Sequence, residues 1–172
     1  MIVHLEVDPK KCSYRFLYEV ALFETNPDNL TEIFSTLEKY KLRPTDCEDA
    51  ADEDTYGVLC ALAKNPNTEY DVIKKISQSE DECLRSCVAE YTKFDDIIDS
   101  LLGDKYTLVL ADALKNRHLK RRQFLKIFNR FIHKEIDFEM LENRQHITPG
   151  QFARKLSKHR FATMTEVIAL GK

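Results

Sequence analysis

The chain has 172 residues and a net charge of −3, with 43% apolar and 32% charged side chains. The apolar share is enough for one compact unit with a real core. With only four Gly and five Pro, the composition argues against an all-β chain built on many tight turns. No run approaches the roughly 20 apolar residues needed to span a bilayer, and MIVHLEVDPKK shows no signal-peptide pattern.

Residues 1–7, MIVHLEV, read either as a short strand or as an extended arm. A lone strand needs a partner. Helix is expected from Pro9 onward. Lys11–Glu24 carries Phe16, Leu17, Val20, Ala21 and Phe23 at helical spacing. Asn26-Pro27 stops it, and a second helix is expected over 29–40. DCEDAADED, residues 46–54, then concentrates six acids within the insertion 41–54. It reads as a loop leading into a helix N-terminus, where the macrodipole favours acids.

From residue 55 a pattern recurs. Helices are expected over 55–64, 69–77, 80–90, 94–102, 105–115 and 119–133. Asn65-Pro66 is a natural stop, because the residue before a proline avoids the α region. Thr68-x-x-Asp71, Ser79-x-x-Glu82 and Thr92-x-x-Asp95 have the spacing of capping boxes. ALAKNP (61–66), CVAEYT (87–92) and DALKNR (112–117) align, and LFETNP (22–27) looks like an earlier copy. Such a period implies stacked helix pairs, since one pair alone cannot bury its apolar stripe.

The stretch ALAKNPNTEYDVIKKISQSEDECLRSCVAE resembles the variant leucine-rich repeat, a HEAT-like α-solenoid unit. Its signature positions are taken by Leu62, Ala63, Asn65 and Pro66, then Ile73 and Ile76, then Asp81, Leu84 and Arg85. The resemblance covers residues 55–132 and, more faintly, 12–40. It implies an all-α, HEAT-like/α-solenoid stack of about four antiparallel helix pairs. The expected organisation is one domain over 1–172, with helical repeats over 11–134 and a C-terminal helical extension over 135–172.

Charge divides the halves. Residues 1–104 hold 11 Lys and Arg against 23 Asp and Glu, whereas 105–172 hold 15 against 6. This asymmetry points to an interaction surface. With KNRHLKRRQFLKIFNRFIHK (115–134) placed on a helix, His118, Arg122, Lys126, Arg130 and Lys134 fall on one i, i+4 ridge, opposite Phe124, Leu125, Ile127, Phe128, Phe131 and Ile132. Like charges at that spacing cost about 0.2–0.5 kcal/mol per pair, so roughly 1–2 kcal/mol in all. An anionic partner would offset that cost, as would the chain's own acids at 46–54. A second basic segment, TPGQFARKLSKHRF (148–161), has Thr148 as N-cap and Pro149 at the first helical position. Arg154, Lys155, Lys158 and Arg160 (with His159) extend the ridge into a patch. The final ATMTEVIAL reads as a capping helix burying Val167, Ile168 and Leu170, or as a docking segment.

Catalytic motifs are lacking. No phosphate-binding loop, H-E-x-x-H or G-x-S-x-G occurs, and the five histidines lack metal-ligand spacing. Some HEAT-like proteins are DNA glycosylases, but such a site needs a placed acid and aromatics around a flipped base. Five cysteines without C-x-x-C, including Cys83 and Cys87 at i, i+4, read as reduced thiols in the cytoplasm, with that pair as small core residues. The sequence therefore reads as a non-catalytic adaptor or regulator without cofactor or metal. Its basic C-terminal face would engage an acidic protein surface or nucleic acid, and no membrane.

Overall fold

The computed structural model describes residues 13–39, 50–138 and 147–171. Among these residues the chain is all-α, without a strand. The first four helices are α1 (Tyr14–Phe23), α2 (Pro27–Lys39), α3 (Ala50–Lys64) and α4 (Tyr70–Ser77). They are followed by α5 (Glu82–Tyr91), α6 (Asp95–Leu101), α7 (Thr107–Ala113), α8 (Arg121–Ile132), α9 (Pro149–Lys158) and α10 (Met164–Leu170). The expected strand or arm at 1–7 and the start of the acidic run lie outside the described residues. The rest of that run falls in the backbone of α3, which begins five residues before the expected Thr55.

The described residues gather into two compact units, one ending at Ile76 and one beginning at Ser77. In the first, α1 packs on α3. Ala21 and Ala61 are fully buried there, beside Leu17, Val58 and Leu62, so small side chains let the helices approach. The apolar stripes of α2 (Leu30, Ile33, Phe34, Leu37) and α4 (Val72, Ile73, Ile76) close the core. In the second unit α5 packs on α7 in the same way, with Val88, Ala89, Leu110, Ala111 and Ala113 fully buried, and α6 touches both.

One side chain recurs at each close pairing. The Asn65 amide donates to Ala21 O at 2.8 Å and Glu24 O at 2.9 Å, the last turn of α1. The Asn116 amide donates to Ala89 O at 2.8 Å and Thr92 O at 2.9 Å, the last turn of α5. A helix leaves its final carbonyls without partners, and here an asparagine just past the end of the helix packed on it supplies the donor. The same asparagines accept a backbone N–H two residues on, from Asn67 at 2.8 Å and His118 at 2.7 Å. Asn26 does so for Asp28 and Thr92 for Phe94. The turn-closing acceptors thus stand at 26, 65, 92 and 116. In the 87–92 segment the role falls to Thr92, one residue beyond Tyr91, which aligns with Asn65 and Asn116.

The starts of the helices differ from the expected capping boxes. Thr68 donates to Leu62 O at 2.7 Å, and Ser79 accepts from Asp81 N. The cap of α5 is Asp81, which accepts from Cys83 N at 2.7 Å. The hydroxyls therefore shape the turns, a use open to any short oxygen-bearing side chain near exposed backbone. Thr148 does cap α9 as expected. It accepts from Gln151 N at 3.2 Å, and the Gln151 side chain accepts from Thr148 N at 2.9 Å. Arg85, from the repeat signature, pairs with Asp104 at 2.7 Å and donates to Ser79 O and Glu80 O, each at 2.8 Å. It staples the turn before α5 to the turn before α7.

Asn116 is 1% exposed and Asn65 is 5% exposed. Asn116→Ala would strand two helix-end carbonyls in the interior, at a cost of roughly 2–3 kcal/mol. Urea denaturation should show that loss as a lower midpoint, and a loss below about 0.5 kcal/mol would mean the carbonyls find other partners.

Candidate anion-binding site

The basic ridge takes shape differently in three dimensions. Helix α8 begins at Arg121, because Asn116 has just closed a turn and Leu119 is buried before it. His118 therefore precedes the helix, where its Nε2 accepts from Arg117 Nε at 3.1 Å. Lys134 follows the helix in the left-handed region at φ 57. The neighbouring Glu135 N–H donates back to Arg130 O at 2.8 Å, as in a Schellman termination. Of the five ridge residues, only Arg122, Lys126 and Arg130 lie on α8.

Those three are occupied within the second unit. Asp99 of α6 receives Arg122 at 2.9 Å and Lys126 at 2.8 Å. Burial pushes the Asp99 carboxyl up, but the Lys126 hydrogen bond and the two positive charges outweigh it and hold the pKa below its usual value. Lys120 is paired with Asp95 in the same way. Arg130 donates to Leu102 O and to Asp104 O, where α6 ends. The ridge is thus answered by the acidic face of α6. Arg160 is also committed, donating to Arg117 O at 2.7 Å and Leu119 O at 2.9 Å with its guanidinium over Phe161.

The remaining predicted cations stand together. Gln151, Arg154, Lys155 and Lys158 follow i, i+3, i+4, i+7 along one face of α9 and form one wall of an open cleft of about 540 Å³. Leu108 and Asp112 of α7, with Lys115 just beyond its end, form the other wall, and Ile147 adds a second apolar residue. Lys115 reaches Asp112 at 2.5 Å and Glu90 at 3.7 Å. Burial would lower its pKa, but these carboxylates raise it instead, so it stays charged. The Asp112 carboxylate also accepts from the Ser86 hydroxyl. Four cations thus face one already-engaged carboxylate, and among the described residues Arg154, Lys155 and Lys158 form no ion pair. Sequence reasoning missed Lys115, Leu108 and Gln151. The helical spacing of 151, 154, 155 and 158 was available as a signal, whereas the facing α7 wall had none.

Two contacts seat α9 and α10. His159, at the end of α9, stacks on Phe124 with centroids 4.7 Å apart and lies 5.3 Å from Phe161. Its Nδ1 accepts from Phe161 N, and the ring also bonds the Leu114 backbone at the end of α7. Burial, then the Arg160 charge, lower its pKa against that bond's effect. In α10 the inward residue is Glu166, 9% exposed, whereas Val167 is 37% and Ile168 57% exposed. This corrects the expected burial of Val167 and Ile168. Arg121 holds Glu166 through two bonds of 2.6 and 3.1 Å, and Thr163 N and Oγ1 donate to the same carboxylate. These bonds, Arg121 foremost, hold its pKa at about 2.

Among the described residues no cluster of His, Cys, Asp or Glu is arranged to hold a metal ion, and no helix is long and apolar enough to cross a membrane. Cys60, Cys83 and Cys87 carry thiols rather than disulfides. Comparison of the chain with protein-family models, curated proteins and solved structures finds no match.

Two pH responses follow. The Glu166 contribution is full above its ordinary pKa of 4.5 and is lost as pH falls toward about 2. Glu166→Gln should destabilise the protein by about 1–2 kcal/mol at neutral pH, a value discounted for the partial exposure of Arg121. The deficit relative to wild type should shrink on acidification. His159 acts in the opposite range of groups but the same direction. Its folded pKa lies below 6.5, so its contribution is full above that value and falls away as pH drops below it. His159→Phe should keep the stacking and weaken the fall in melting temperature between neutral and mildly acidic pH. Identical pH profiles for variant and wild type would refute that assignment.

Proposed function

We propose that the chain is a non-catalytic α-helical-repeat adaptor, akin to the HEAT-like variant leucine-rich repeats, that engages an acidic protein partner through the basic α7–α9 cleft. The repeat reading is supported by the re-use of one buried asparagine, with matching bond lengths, at both close helix pairings. The binding reading rests on one observation. Arg154, Lys155 and Lys158 share a helix face and line a cleft, while Lys120, Arg122 and Lys126 are engaged by Asp95 and Asp99, and Arg130 and Arg160 by backbone carbonyls.

An acidic protein is favoured over nucleic acid for two reasons. Phosphate-tracking surfaces spread cations along an extended path, and here α6 neutralises the candidate path along α8. Among the described residues the cleft is also lined by Leu108 and Ile147 and by no aromatic residue, so bases would find no stacking platform there.

The test compares binding of poly-glutamate and of generic DNA by fluorescence anisotropy at low and physiological salt. Arg154→Glu/Lys155→Glu/Lys158→Glu should weaken poly-glutamate binding by more than about tenfold, some 1.4 kcal/mol or more. Arg122→Gln/Lys126→Gln should leave it within about twofold, because those side chains already serve Asp99. Full binding by the α9 variant would overturn the proposal.

A further inference from the structure

We infer that the cleft is specific for an extended acidic–apolar–acidic tripeptide, an inference that rests on the binding reading above. Its geometry sets the length. From Gln151 to Lys158 the α9 wall rises through seven residue steps, about 10 Å at 1.5 Å each. Three residues of extended chain cover the same distance at about 3.3 Å each. Along an extended chain, alternate side chains point to opposite sides. Residues one and three then face the same way, roughly 6.6 Å apart. Arg154 and Lys158 are one helical turn apart, about 6 Å along the axis. Two carboxylates at positions one and three therefore match these two cations, with Lys155 between them in height.

The middle residue then faces the α7 wall. That wall offers Leu108, and its one carboxylate, Asp112, is taken by Lys115 and Ser86. An acidic middle residue would meet Asp112, and a polar one would leave Leu108 and Ile147 uncovered. An apolar middle residue buries itself against them and excludes water from the two flanking ion pairs, which strengthens those pairs. The cleft volume lies within the range of small-ligand sites. The partner is thus a protein segment with carboxylates flanking an apolar residue, bound without a required helix of its own.

The test uses fluorescein-labelled peptides, each a Gly/Ser chain carrying Glu-Leu-Glu, Leu-Glu-Glu or Glu-Ser-Glu, with poly-glutamate and a thymidine oligonucleotide as further arms. Glu-Leu-Glu should bind at least about fivefold tighter than its isomer and than Glu-Ser-Glu. Leu108→Ser should bring the affinities for Glu-Leu-Glu and Glu-Ser-Glu within about twofold of each other. Ile147→Ser serves as the second variant should Leu108→Ser melt early. Equal affinities for the three peptides, with poly-glutamate still bound, would refute the spacing rule and leave the binding reading standing. Failure of poly-glutamate and every peptide to bind would remove both. Oligonucleotide binding tighter than any peptide would overturn the inference and assign the cleft to phosphates.

Discussion

The second unit hangs on the amide of Asn116. The final carbonyls of α5 are turned toward the interior, where no water can satisfy them, and a buried carbonyl without a donor costs free energy comparable to a lost hydrogen bond. Asn116 meets two of them and closes its own turn with its remaining oxygen. That fixes the end of α7 against the end of α5 and stops the chain before α8 begins. Asn65 repeats the arrangement for α1 and α3. The alanines at the same pairings are a corollary, since the amide reaches those carbonyls only when the helices lie close.

From that anchor eight cations of the basic half fall to three tasks. Arg130 and Arg160 donate to backbone carbonyls at chain turns, as Arg85 does earlier in the unit. Lys120, Arg122 and Lys126 pair with Asp95 and Asp99 across α6. Arg154, Lys155 and Lys158 line the cleft. Among the described residues, three cations without an ion pair, Arg154, Lys155 and Lys158, are thus gathered on one helix face. A partially exposed pair contributes modestly to stability, but it removes two charges from the field that an incoming anion meets. The α6 acids thus determine which cations are available for binding.

The cleft depends in turn on how α9 is seated. His159 ties its end to the Leu114 backbone and stacks on Phe124 of α8, while Arg121 grips Glu166 beyond it. Both α9 and α10 are short helices, of a length that is marginal in isolation. Their placement relies on these few directed contacts together with the burial of Phe152 and Leu156. Met164, Val167 and Ile168 remain outward-facing on α10 because the Arg121–Glu166 pair sets its rotation.

The sequence by itself determined that the chain is helical, where most helices stop, and that Thr148 caps α9. These follow from local chemistry: periodic apolar residues, the restriction before proline, and a hydroxyl near orphan N–H groups. It also gave Arg154, Lys155 and Lys158 as candidate binding residues, since their spacing is a property of one helix. What it left undecided was which cations answer to which acids. Asp99 lies 23 residues from Arg122 and 27 from Lys126, and nothing in the local pattern joins them. Nor did it reveal that Leu108 and Lys115 face α9, that Lys134 leaves the helix, or that Glu166 turns inward in place of Val167. Each of those outcomes was settled only when tertiary packing brought distant backbone carbonyls and charges within hydrogen-bonding distance, an interaction that falls off too steeply to be written into neighbouring residues.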